Sequence, residues 1–83
     1  MAGTKNDFKF EIINNLGTIS NGSKGWTREL NRVSWNAGDP KYDLRDWDET
    51  HEKMGKGISL TESELRKLKE FIDKEIEFLD QTI

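Results

Sequence analysis

Among its 83 residues the chain has no cysteine, one proline, one histidine and no long apolar run. Without thiols, neither a disulfide nor a cysteine-bound metal can staple a domain of this size, so packing alone must hold it. The single imidazole, His51, cannot complete a zinc site by itself and reads as a solvated loop histidine among Asp48, Glu49 and Glu52. The carboxylates Asp39, Asp43, Asp46, Asp48, Glu49 and Glu52 lack the regular spacing and central glycine of a calcium loop. No serine or threonine is paired with a base for nucleophilic attack, and Gly22, Gly25 and Gly38 fall in turns rather than in a phosphate cradle. A protein that is not an enzyme and holds neither metal nor cofactor is expected. No segment approaches the ~20 apolar residues of a membrane span, and the start MAGTKND lacks the basic and apolar regions of a signal peptide. A cytoplasmic location with no membrane partner is therefore the expectation.

What is present is charge. Charged residues make up 35% of the chain against 33% hydrophobic, and Leu, Ile, Val and Phe together account for only 19 residues. A single small domain buries only about 60–65% of the surface its unfolded chain exposes. So lean an apolar supply suggests a core shared with a second copy. The formal charge is −3, which taken alone argues against nucleic acid. Its distribution argues otherwise: residues 1–60 carry nine basic and nine acidic side chains, residues 61–83 four and seven. The deficit belongs to the C-terminal segment, and the remainder is free to gather cations on one face.

Residues 1–7 read as a flexible tail and residues 8–80 as one domain. Phe8, Phe10 and Ile12 alternate with Lys9 and Glu11 as in a half-buried strand, and Asn14, Asn15 and Gly17 suggest a bend or bulge. Residues 20–25 form a turn. A second strand runs from Trp26 to Asn36, with a bulge expected near Asn31 to keep its apolar side continuous. After the turn Ala37-Gly38-Asp39-Pro40, a third strand spans Lys41–Trp47, with Tyr42 and Leu44 on one side and Lys41, Asp43, Arg45 and Trp47 on the other. A charged loop, Asp48–Gly55, leads to a short fourth strand, Lys56–Leu60.

The helix that follows is announced by a capping box, Thr61 with Glu64, and by Leu60 and Leu65 as a hydrophobic staple. Leu65, Leu68, Ile72, Ile76 and Leu79 form one apolar stripe, widened by Phe71 and Phe78. About 20 residues make a helix roughly 30 Å long, too long for four short strands to cover, so part of this face is expected to meet a partner copy. The order is ββββα.

Lys24, Trp26, Arg28, Arg32, Trp35, Lys41, Arg45, Trp47, Lys53 and Lys56 interleave flat rings with cations on the strands and turns. Rings stack unpaired bases and cations neutralise phosphates, the chemistry of single-stranded nucleic-acid binding. Trp47 shares its strand side with Lys41 and Arg45, so burying it would tend to bury two cations, and an exposed ring is expected. Two other readings stand beside this one: a dimeric protein-interaction module with core tryptophans, and an RNA-binding domain.

The stretch VSWNAGDPKYDLRDW, a charged loop and then MGKGISLTESELRKLKEFI resemble the C-terminal domain of the transcriptional positive cofactor 4 (PC4) family, with the closest likeness to its small bacterial YdbC-like members. The likeness covers roughly Phe8 to Leu79 and is strongest from Val33 onwards. It implies an α+β fold, a strongly curved four-stranded antiparallel sheet followed by one helix, paired as a homodimer through helices and sheets. It also implies single-stranded DNA lying along the curved sheets and transcription machinery as a candidate partner. Lys56 and Gly57 match the family's basic strand edge, Arg45 its strand arginine and Lys41 the basic residue of the turn before strand three. Trp47 matches an aromatic position, and Trp35 lies where the second strand nears its turn. Asn36–Pro40 stands where the family often carries an aromatic-basic tip. Trp26, Arg28 and Arg32 rest on the reading of the residues alone.

Overall fold

A computed structural model describes residues 9–81, so the expected tail and Phe8 lie outside the described residues. Four strands, β1 (Phe10–Asn21), β2 (Thr27–Trp35), β3 (Lys41–Trp47) and β4 (Met54–Leu60), form one antiparallel sheet in the order β1-β2-β3-β4, followed by helix α1 (Glu62–Gln81). This is the expected ββββα architecture. A 3₁₀ turn, Ser23–Gly25, joins β1 to β2. Asn36 and Ala37, both at positive φ, form a two-residue turn after β2 that is closed by Gly38 N–H donating to the Trp35 carbonyl at 2.9 Å.

The expected bulge near Asn31 is not on β2, whose pairing with β3 is unbroken. The irregularities lie on β1. Its twelve residues meet nine on β2, and the extra ones are Ile13, Leu16 and Ile19, three residues apart. Each bulge bends the strand, and the period of three keeps the three apolar side chains on one side. A continuous apolar side for β2 is not needed either, because Leu30 serves one face of the sheet and Val33 and Trp35 the other.

The bending is strong. Phe10 pairs with Trp35 at one end of β2 and Trp47 with Thr27 at the other. Straight strands would hold these pairs about 26 Å apart. The Phe10 and Trp47 rings nevertheless lie 5.2 Å apart, so the sheet curls into a trough, as the resemblance implied. Its concave face carries Ile12, Asn15, Glu29, Asn31, Val33, Asp43 and Trp47. The fully buried apolar side chains among the described residues, Val33 and Trp47, both point into it.

Helix α1 begins as its sequence dictates: Glu64 N–H donates to Thr61 Oγ1 at 3.2 Å, and Thr61 N–H donates to Glu64 Oε1 at 2.9 Å. It then leaves the sheet. No residue of α1 is buried, and Leu68, Phe71, Ile72, Ile76, Phe78 and Leu79 are all more than a third exposed. The radius of gyration, 15.7 Å, exceeds the about 12 Å of a compact chain of this length. No helix among the described residues is long and apolar enough to cross a membrane.

Candidate nucleic-acid interface

Strand alternation and curvature divide the aromatic and basic side chains between two faces. On the concave face, rings run in a chain from Trp35 to Phe10 (5.9 Å), Phe10 to Trp47 (5.2 Å) and Trp47 to His51 (5.6 Å). Arg45 lies over Trp35, its guanidinium carbon 4.7 Å from the ring centre. The same guanidinium grips Asp43 through two bonds, Nε to Oδ2 at 2.7 Å and Nη2 to Oδ1 at 2.8 Å, and Ser59 Oγ donates to Oδ1 at 3.0 Å. Glycine at position 57 makes this possible. A Cβ there would collide with the Arg45 Cβ and the Leu44 carbonyl oxygen, so Gly57 is the floor over which Arg45 crosses to β4.

The expectation of an exposed Trp47 is corrected. Its side chain is fully buried, although it does share its side of β3 with Lys41 and Arg45. Burial costs little there because the cation beside it, Arg45, is already paired with Asp43, while Lys41 remains exposed at the far end of the strand. Trp47 offers no free face for a base. Trp35 and Trp26 are half-buried and are the tryptophans with accessible surface.

The cations are likewise divided. Arg28, Leu30 and Arg32 alternate onto the convex face, where Arg28 is held by Asp46, Nε to Oδ1 at 2.8 Å. This pairing raises the Arg28 pKa and lowers that of Asp46. Trp26 borders the same small cleft as Arg28 and Asp46. Lys56 lies with Gly55 opposite Asp46, at an irregularity of β4. Lys24 and Lys53 sit on the two turns that meet at one end of the sheet, where Gly25 packs close to Glu49. Lys24, Lys41, Lys53 and Lys56 are exposed, and among the described residues none makes an ion pair. The candidate set is thus divided between the two faces and the loop end of the sheet, and does not form one continuous stripe.

Sequence reading missed a polar network inside that trough. Glu29, 4% exposed, accepts from Thr27 Oγ1 (2.6 Å), Asn31 Nδ2 (3.1 Å) and Asn15 Nδ2 (3.2 Å), and meets His51 Nε2 at 2.9 and 3.0 Å. Burial, the largest single influence, would raise its pKa. The bonds from Thr27, Asn31 and His51 together outweigh burial and hold the carboxyl below its ordinary range. His51 is therefore not a simply solvated loop residue: at φ 60° it folds back from its loop onto Trp47 and Glu29. The loop itself is ordered by Asp48, which accepts the N–H groups of Glu52 and Lys53 and the Thr50 hydroxyl. Backbone donation from Lys53 is the main reason the Asp48 carboxyl titrates below its usual range. No cluster suited to a metal ion occurs among the described residues.

On the convex side, Ile19, Leu30, Tyr42, Leu44, Leu65 and Ile72 line an open apolar cleft of about 530 Å³ between the sheet and the first half of α1. Leu65, Leu68 and Ile72, expected at a dimer interface, border it. Phe71, Ile76 and Leu79 extend the apolar surface along the unsupported helix.

Residues 22–71 match the family model described as Transcriptional Coactivator p15 (PC4). An uncharacterized protein of Treponema pallidum (strain Nichols) is 42% identical over 67 residues, covering 81% of this chain and 79% of that protein.

Proposed function

The chain belongs to the Transcriptional Coactivator p15 (PC4) family, and we propose that it is a homodimeric, largely sequence-independent single-stranded DNA-binding protein acting in transcription, without catalytic activity. The observation that carries this reading is the set of exposed lysines, Lys24, Lys41, Lys53 and Lys56, on the strands and turns of a curved sheet whose concave face carries a chain of rings from Trp35 to Trp47. Phosphates follow the cations, and bases meet the rings. Arg45 holds Trp35 in place from one side. Arg28 and Arg32 lie on the convex face to either side of Leu30, and Arg28 is paired with Asp46, so the reading does not depend on them.

Dimerisation is supported by the open apolar cleft and by a helix that buries none of its residues within its own subunit. A second copy supplies the missing cover, and a dimer doubles the number of exposed lysines. Light scattering is expected to return twice the mass of the chain.

Tryptophan emission read while oligo-dT is added at low salt tests the binding. Quenching that reverses as salt rises, with a log–log slope set by the number of phosphates contacted, is the expected result. An unchanged spectrum and unchanged anisotropy of a labelled oligonucleotide at micromolar protein would sink the proposal. Competition by oligo-U separates a DNA from an RNA preference.

A further inference from the structure

The contact between Arg45 and Trp35 exists only because the sheet curls. Across the ladder Arg45 faces Glu29, and Trp35 stands six residues further along β2, about 20 Å away in a straight strand. No arginine spans that distance in a flat sheet. In the curled one the Arg45 guanidinium carbon rests 4.7 Å from the Trp35 ring centre. The same curl carries Trp47, on the same side of β3, to within 5.2 Å of Phe10.

All three nitrogens of the Arg45 guanidinium are engaged. Nε and Nη2 grip the fully buried Asp43, while Nη1 donates to the Gly55 carbonyl and the Met54 sulfur, each at 3.4 Å. Asp43 is itself held by Ser59 Oγ at 3.0 Å. An arginine so tied, its side chain only 15% exposed, has its charge neutralised inside the sheet. Lys24, Lys41, Lys53 and Lys56, in contrast, are exposed. Trp35, where the chain of contacts from Ser59 through Asp43 and Arg45 ends, keeps accessible surface.

Residue type alone places Arg45 among the phosphate-binding cations. We infer instead that Arg45 binds no phosphate and that Asp43, Arg45 and Ser59 are positioning residues, acting on a single strand only through the Trp35 ring that they fix for stacking. This role rests on the single-strand reading above. A phosphate ligand tolerates lysine, which keeps the charge. A positioning arginine does not, because a single ammonium neither grips a carboxylate through two bonds nor lies flat on an indole.

The test is the affinity of wild type, Arg45→Lys, Trp35→Ala and the double variant for labelled oligo-dT, read by anisotropy at low and raised salt, with thermal melts checking that each is folded. Arg45→Lys is expected to bind about fivefold more weakly, the lower end for one stacked base. The loss should be the same at both salt concentrations, since no phosphate contact is removed. In the Trp35→Ala background the same substitution should change nothing further, because its effect passes through the ring. Should Arg45→Lys fail to fold, Ser59→Ala, which removes one bond to Asp43 and no charge, is expected to cost about twofold and to cost nothing in the Trp35→Ala background. An Arg45→Lys variant that binds like wild type, or whose loss adds to that of Trp35→Ala, overturns the positioning role and leaves single-strand binding in place. So does undiminished affinity of Trp35→Ala or, where Ser59→Ala stands in, of that variant. Failure of wild type to bind overturns the single-strand reading and the positioning role with it.

Discussion

The two faces of this sheet invert the usual relation between hydrophobicity and burial. The concave face is rich in polar groups, yet Asn31, Asp43 and Glu29 are buried there beside Trp47 and Val33. The convex face and the helix are rich in leucine, isoleucine and phenylalanine, yet Leu30, Leu44, Leu60 and Leu65 are only half-buried and Ile19, Ile58, Leu68, Phe71, Ile72 and Leu79 stay exposed. Curvature, not apolar content, decides which face closes. A trough encloses whatever lines it, so its polar groups must find partners within it, while the outer face is left open by its own subunit.

That contrast can be broken most severely at Trp47. Trp47→Ala removes the ring joining Phe10 to His51 and should cost about 3–5 kcal/mol in urea unfolding. Ile72→Glu, on the exposed helix face, should leave the subunit folded and instead reduce the mass found by light scattering. If Ile72→Glu unfolds the chain, the helix belongs to the subunit core after all.

The next largest effect distinguishes two ion pairs. Asp43→Asn leaves Arg45 without its bidentate partner in a site where the arginine side chain is only 15% exposed, and should destabilise by about 2–3 kcal/mol. Asp46→Asn breaks the solvent-facing pair with Arg28 and should leave the unfolding midpoint where it was.

Acid sharpens the comparison further. The folded-state pKa of Glu29 lies below its unfolded value, so its contribution is full above the ordinary carboxylate range and is lost as pH falls through the depressed value. Wild type should therefore lose part of its urea resistance on acidification. Glu29→Gln should be less stable at neutral pH and should converge on wild type in acid. A small gain is expected at the turn: Ala37 holds φ 62°, and Ala37→Gly should raise stability by about 0.5–1 kcal/mol, read as an upward shift in melting temperature.

Much of the architecture was legible from neighbouring residues. Thr61 and Glu64 announced the helix start, the leucine and isoleucine spacing its apolar stripe, and the alternation along Lys41–Trp47 the side that each residue takes. Ile13, Leu16 and Ile19 were visible too, but an apolar residue every third position fits neither an ordinary strand nor a helix, and its meaning emerges only from pairing with β2. The candidate site was legible in composition but not in arrangement. Which cations line the trough and which lie behind it depends on where the strands curl.

The order of elements, the helix cap and the apolar stripe of the helix were settled by residue types and spacings within a few positions. The tertiary structure alone decided that Trp47 is core, that Gly57 gives Arg45 its path, and that Asn15, Asn31, Glu29 and His51 form one network. These groups lie on different strands and loops, and only the bending of the sheet brings Phe10 to Trp47 and His51 to Glu29.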